Sequence, residues 1–209
     1  MVGSFDFQKD LKGRENRQLS FAWLKSDLKC DVIDEEGKLP HIDCYAVKNG
    51  KKLCVEIKND YYPKTRNVCL ELFAHTPDAA FGDVVGHGFC QSIRVNPETF
   101  AHLAINDMIL SGTLEGERGL CFRTDLIKNH LLYYVFIDKD KSVTPRRLLF
   151  SVRCLTELVL KEHVKYDYLI TRSSKGSRAW RTLSVLIPEK NLLKACDEFK
   201  TFETSYSLT

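Results

Sequence analysis

Alternation of apolar and polar residues is clearest on either side of Asn49-Gly50. His41 to Lys48 reads HIDCYAVK and Lys51 to Asp60 reads KKLCVEIKND. Period-two alternation flanking Asn-Gly predicts a β-hairpin with a two-residue turn. With Asn49 and Gly50 as the turn, Lys48 faces Lys51 and Asp43 falls opposite Glu56. Leu53, Val55 and Ile57 then share a face that can enter a core, while Glu56 and Lys58 share the other.

The rest of the chain can be read in the same way. Residues 8–29 form a first helix, with Leu11, Glu15, Leu19 and Ala22 on one face. Cys30–Ile33 is a short strand, 34–38 a turn, and 59–66 a connecting loop. Asn67–Phe73 is a strand with Val68, Leu70 and Leu72 on one side and Asn67, Cys69 and Glu71 on the other. Residues 75–90 are glycine-rich without a phosphate-loop pattern. His87 within them is either a structural residue or a proton shuttle. Asn96-Pro97 opens a helix to about Leu110, closed by Gly112. Residues 131–137 (LLYYVFI) are apolar enough for a central strand, and 139–147 form a basic turn. A helix follows over 151–162, then strands over 166–171 and 182–187, and a last helix over 189–200, with a frayed tail after 202. Strands alternating with helices predict an α/β fold: a mixed central sheet of about five strands, flanked by helices on both faces.

Composition narrows this picture. A chain of 209 residues, 44% hydrophobic, suits a single domain with a real core. No apolar run approaches the roughly 18 residues of a membrane span, and the N-terminus lacks the apolar stretch of a secretory signal, so a cytoplasmic location is expected. The net charge of +3 permits a nucleic-acid partner without requiring one. Eight cysteines contain no C-x-x-C pair, which argues against a zinc ribbon or iron–sulfur cluster and for reduced thiols in the core.

The hairpin holds the candidate chemistry. Carboxylates directly opposed across an antiparallel pair, with Cβ atoms roughly 4.5–5.5 Å apart, repel unless a cation or proton lies between them. A hard divalent cation would satisfy them. So would a solvated hairpin face on which Lys58 neutralises Glu56. Nearby, Tyr61, Tyr62, Lys64 and Arg66 mix aromatic rings with cations, a combination that can stack bases and hold phosphates, or form an ordinary surface loop. Residues 172–181 (RSSKGSRAWR) carry Arg172, Lys175, Arg178 and Arg181 with no acid; they are a solvated loop or a flap over a nucleic-acid backbone.

Asp43, twelve residues, then Glu56-Ile57-Lys58 resembles the PD-(D/E)XK motif of the restriction-endonuclease-like nuclease superfamily, with Ile42 in place of the proline. Asp6 to Glu15 (DFQKDLKGRE) ahead of a helix is similar to the opening of its phage-type members, and Thr65-Arg66-Asn67 through Glu71 resembles their T-G-N-x-x-x-E segment, with Arg66 where glycine is usual. The likeness covers residues 5–72, and Val185-Leu186-Ile187-Pro188 followed by a helix resembles the family's close. It implies a metal-dependent nuclease from a virus or mobile element, acting on DNA more readily than RNA. Asp43, Glu56 and the Ile57 carbonyl would hold Mg²⁺ or Mn²⁺, Glu15 would act in or just behind that shell, Lys58 would serve the attacking water, and Asn67 and Glu71 would support them.

Overall fold

The computed structural model of the protein describes residues 7–39, 42–60, 65–76, 92–98, 117–120, 130–137, 146–175, 178–195 and 200–202. In chain order the elements are α1 (Phe7–Leu28), β1 (Asp31–Leu39), β2 (Ile42–Lys48), β3 (Lys51–Asp60), β4 (Asn67–Thr76), β5 (Ser92–Val95) and β6 (Glu117–Arg118). They continue with β7 (His130–Phe136), β8 (Arg146–Ser151), α2 (Val152–Glu162), a 3₁₀ turn (His163–Lys165), β9 (Asp167–Lys175), β10 (Arg178–Pro188), α3 (Glu189–Ala195) and β11 (Lys200–Phe202). The fold is α/β, as the alternation of elements implies. Two compact units divide the chain: residues 1–61, 129–149 and 200–209 form one, and residues 62–128 and 150–199 the other.

The first unit holds the mixed sheet, in the order β1-β2-β3-β7-β8-β11. The hairpin forms as its sequence dictates. Asn49 (φ 51°) and Gly50 (φ 73°) both take positive φ, the requirement of a type I′ turn. Lys48 pairs with Lys51, and the register runs unbroken to Cys44 opposite Val55. On its other edge β3 runs parallel to β7, with Glu56 beside Leu132 and Lys58 beside Tyr134. β7 is buried along nearly its whole length, which is why it reads as a continuous apolar run rather than an alternating one. Helix α1 covers one face. Leu24 joins Cys30, Cys44, Ala46, Val55, Tyr133 and Val135 in the core, with Phe21, Trp23, Leu28 and Ile57 packed against them. Glu56 and Lys58 therefore project from the opposite face of β3.

The second unit is built on an antiparallel sheet that the pattern did not reveal, in the order β5-β9-β10-β4-β6. Val68, Leu70 and Leu72 of β4 are buried as expected, as are Leu183, Val185 and Ile187 of β10. Helix α2 buries Val152, Leu155, Thr156 and Val159, the stripe that a 3.6-residue period places on one side. Gly119 is required where it stands: its amide donates to the Leu72 carbonyl at 2.8 Å, and a Cβ there would collide with the Glu71 carbonyl.

Several expectations are corrected. Residues 34–38 continue β1 rather than turning, with a register irregularity between Asp34 and Leu39. β3 runs on to Asp60, through the start of the expected loop. Arg146 and Arg147 belong to β8, not to a basic turn, and Arg147 is fully buried. The basic stretch 172–181 is not a loop: Arg178 pairs with Lys175 and Arg181 with Arg172. The last helix ends at Ala195 among the described residues, and Lys200 already lies in a strand. Cys154 is disulfide-bonded, whereas Cys30, Cys44, Cys54 and Cys69 are free thiols; spacing along the chain does not report which thiols meet in space. His87 and the helix expected beyond Glu98 lie outside the described residues. No described helix is long and apolar enough to cross a membrane.

Candidate active site

Asp43 stands where both of its ladders break. Pairing with β1 shifts register between Asp34–Cys44 and Leu39–Ile42, and pairing with β3 stops at Cys44–Val55. The expected Asp43–Glu56 ladder pair is thus corrected: the register points to it, but the ladder ends one step short. Instead the Asp43 carboxylate turns toward the neighbouring strand, where Oδ2 accepts the Ile57 amide at 2.7 Å. An aspartate side chain here takes the place of a backbone acceptor.

The other carboxylate oxygen has a cation. Arg17 of α1 donates from Nη1 to Asp43 Oδ1 at 2.9 Å and from Nη2 to the Asp43 carbonyl at 2.8 Å. Nη2 also donates to Asp34 Oδ1 at 2.7 Å. The guanidinium lies over the Phe21 ring, 4.9 Å from its centroid. Burial works against the Arg17 charge, but hydrogen bonds to Asp34 and Asp43 outweigh it and hold the pKa above the usual guanidinium value.

Glu56 is buried on the face away from α1, and Lys58 Nζ lies 3.6 Å from its Oε1. Further along the same face, Tyr134 donates its hydroxyl to Asp60 Oδ2 at 2.7 Å. The repulsion expected between two opposed carboxylates is thereby relieved within the protein: Arg17 serves Asp43, and Lys58 serves Glu56. Cysteine chemistry is disfavoured beside them, because burial pushes the Cys44 thiol up to about 12, leaving little thiolate at neutral pH.

Asp43, Glu56, Ile57 and Lys58 all belong to the first unit, where Asp43 is tied to the Ile57 amide and Lys58 lies beside Glu56. Glu15 does not face them through Arg17's side of α1; it is exposed, and residues two apart on a helix point to different sides. Asn67 and Glu71 belong to the second unit, half-buried on β4. Arg66, exposed just before β4, has φ 47°, the left-handed region that glycine enters freely; this explains why glycine would suit the position. Tyr61, Tyr62 and Lys64 lie outside the described residues. Of the basic stretch, Arg181 is buried and is not a surface cation, while Arg172 is half-buried. Lys175 and Arg178 remain as opposed residues beside the two-residue connection of the β9–β10 hairpin.

The donor set accommodates a hard cation in part. A carboxylate offers about four lone-pair positions, and the Asp43 side-chain bonds above occupy one on each oxygen. Among the described residues, no three His, Cys, Asp or Glu side chains cluster as a metal-holding group; the candidate set is two carboxylates and one backbone carbonyl. Comparison with protein-family models, curated proteins and solved structures finds no match to the chain.

Proposed function

We propose that the protein is a divalent-metal-dependent nuclease of the PD-(D/E)XK type, hydrolysing phosphodiester bonds in nucleic acid, with DNA favoured over RNA. One relationship supports this reading most. Glu56 and Lys58 share a face of β3 as an ion pair, and the Asp43 carboxylate is fastened to the amide of the residue between them. Asp43, Glu56 and the Ile57 carbonyl are hard oxygen donors of the kind Mg²⁺ or Mn²⁺ takes. Such an ion, when bound, lowers the pKa of a coordinated water and stabilises charge on the phosphate. Asp43 contributes a carboxylate held in a fixed orientation. Glu56 contributes one from a site largely shielded from solvent. Lys58, more open than its partner, orients the attacking water and neutralises developing charge. Glu15 has the weakest support, being exposed on the helix. For Asn67 and Glu71 the support is the sequence resemblance alone, and Lys175 and Arg178 are contacts to the nucleic-acid backbone in this reading. A cytoplasmic setting, where such a substrate is found, belongs to the same proposal.

A second reading, a nuclease-like fold that grips nucleic acid or protein without cutting, is favoured by Arg17, which already neutralises Asp43. Incubation with labelled single- and double-stranded DNA and RNA, in Mg²⁺, Mn²⁺ or EDTA, separates the two. Cleavage of DNA that EDTA abolishes is the expected result. Retention of labelled substrate without cleavage in either metal establishes the binding module.

A further inference from the structure

We infer that Arg17 is a built-in competitor for the metal: a guanidinium that holds Asp43 Oδ1 in the metal-free protein and yields that oxygen when a divalent ion loads. This rests on the metal-dependent reading above and concerns what controls loading.

The geometry has two parts, one fixed and one releasable. Asp43 Oδ2 is bound by the Ile57 amide, a group locked in β3. That bond orients the carboxylate whether or not a cation is present. Oδ1 is bound by Arg17 Nη1. Arg17 is also attached to Asp34 Oδ1, the Asp43 carbonyl and the Phe21 ring. It can therefore give up Oδ1 while remaining docked, losing one hydrogen bond rather than its whole setting. A dication at Oδ1 would compete with that bond for the electron density of one oxygen and sit close to a guanidinium that stays charged at any ordinary pH. Both effects weaken metal binding. Asp34, whose side chain is half exposed, sets how firmly the competitor is held.

A purely structural Arg17 predicts the opposite sign. If the guanidinium only props Asp43 in place, removing it leaves the carboxylate looser and metal binding weaker or unchanged. If it competes, removing it makes binding tighter.

The test is direct Mn²⁺ titration of the full chain by calorimetry, with free Mn²⁺ followed by electron paramagnetic resonance at fixed salt. Arg17→Ala should bind Mn²⁺ on the order of tenfold more tightly than the parent, about 1.4 kcal/mol. Its metal-free melting temperature should fall, and Mn²⁺ should raise it by more than in the parent. Asp34→Asn, which loosens the competitor without touching the candidate ligands, should shift affinity in the same direction by less, and it decides the matter if Arg17→Ala does not fold. Asp43→Asn should abolish binding in either background. A parent that binds Mn²⁺ while Arg17→Ala and Asp34→Asn bind equally or more weakly overturns the competition and leaves the metal site standing. Mn²⁺ binding by none of the proteins overturns the metal-dependent reading itself. Binding that survives Asp43→Asn places the ion elsewhere and overturns the inference.

Discussion

Lys58 Nζ stands 3.6 Å from Glu56 Oε1, yet the lysine side chain is 43% exposed and the glutamate only 11%. The pair is therefore lopsided, with a shielded anion and a cation free to reach solvent. A pair with one partner this open contributes about 0–1 kcal/mol to stability. Lys58→Ala should keep the fold and leave nucleic-acid affinity within a few-fold of the parent. Single-turnover cleavage should fall on the order of 10²–10³-fold, the cost of losing a charge-stabilising donor. Lys58→Arg should not restore it, because a planar guanidinium does not replace a compact ammonium. Cleavage by Lys58→Ala at the parental rate would make Lys58 a counter-ion and nothing more.

The hairpin was legible because its determinants are local. Asn-Gly chooses the turn, the turn fixes the register, and the register places Glu56 and Lys58 on one face. Helix α1 shows where local reading fails. Its extent was legible, but its orientation was not: the apolar stripe through Leu19 and Ala22 points to solvent, with Leu19 45% exposed. The inward stripe is Arg17, Ser20, Leu24 and Asp27, and its three polar members each meet a partner far away in sequence. Arg17 meets Asp43, Ser20 donates to Asn59 Oδ1 at 3.0 Å, and Asp27 meets Tyr133 and Arg147. Hydrophobic periodicity cannot detect a face whose burial is compensated by such partners. The same blindness turned Arg147 into a presumed turn residue. The second sheet was missed for another reason: basic residues flanking Gly176 look like a loop until Arg178–Lys175 and Arg181–Arg172 pair.

Asp27 anchors that hidden face. Arg147 donates to it from Nε at 2.8 Å and from Nη2 at 3.0 Å, and Tyr133 donates its hydroxyl at 2.6 Å. Arg147 also lies over Trp23. Both charged side chains are nearly inaccessible to solvent. Removing one member of a buried ion pair strands the other in low dielectric, at roughly 3–5 kcal/mol. Asp27→Ala should lower the unfolding free energy by that order in urea titrations. The double variant Asp27→Leu, Arg147→Met should recover a large part of the loss, since no charge is left behind. A double variant as unstable as the single one would show that the network matters for more than charge compensation.

Lys175 and Arg178 face each other in register beside the β9–β10 connection, and like charges placed opposite in an antiparallel pair are unfavourable. A nucleic-acid phosphate between them would relieve that. Lys175→Ala with Arg178→Ala should weaken binding to all sequences about equally and make the salt dependence shallower, because each lost phosphate contact removes its counterion contribution. Arg172, half-buried, is the internal control: its replacement should disturb stability before it alters the salt slope. Equal affinity and slope in the double variant would remove the hairpin tip from the interface.

His163 gives the pH dependence of the second unit. Its ring is almost fully buried at the end of α2. Tyr168 donates its hydroxyl to the His163 carbonyl at 2.9 Å, and Nδ1 of the ring lies 2.7 Å from the same hydroxyl oxygen. With that hydroxyl proton on the carbonyl, the tautomer that carries its proton on Nδ1 is the one that would complete the pair. Protonation would occur at Nε2 and charge a buried ring, and burial accordingly lowers the His163 pKa from its usual 6.5. The unfolded chain thus takes up a proton near 6.5 that the folded chain refuses until lower pH. Stability from this group is complete above about 6.5 and is lost as pH falls from there to the folded pKa, with a slope of at most ~1.4 kcal/mol per pH unit. Below the folded pKa the loss levels off. His163→Gln keeps a donor for Tyr168 but cannot titrate. Urea midpoints for the parent and His163→Gln should converge as the pH is lowered from 7.5 through 6.5 to 5. Two profiles that stay parallel across that range would show that His163 is protonated as readily in the folded protein as in the unfolded chain.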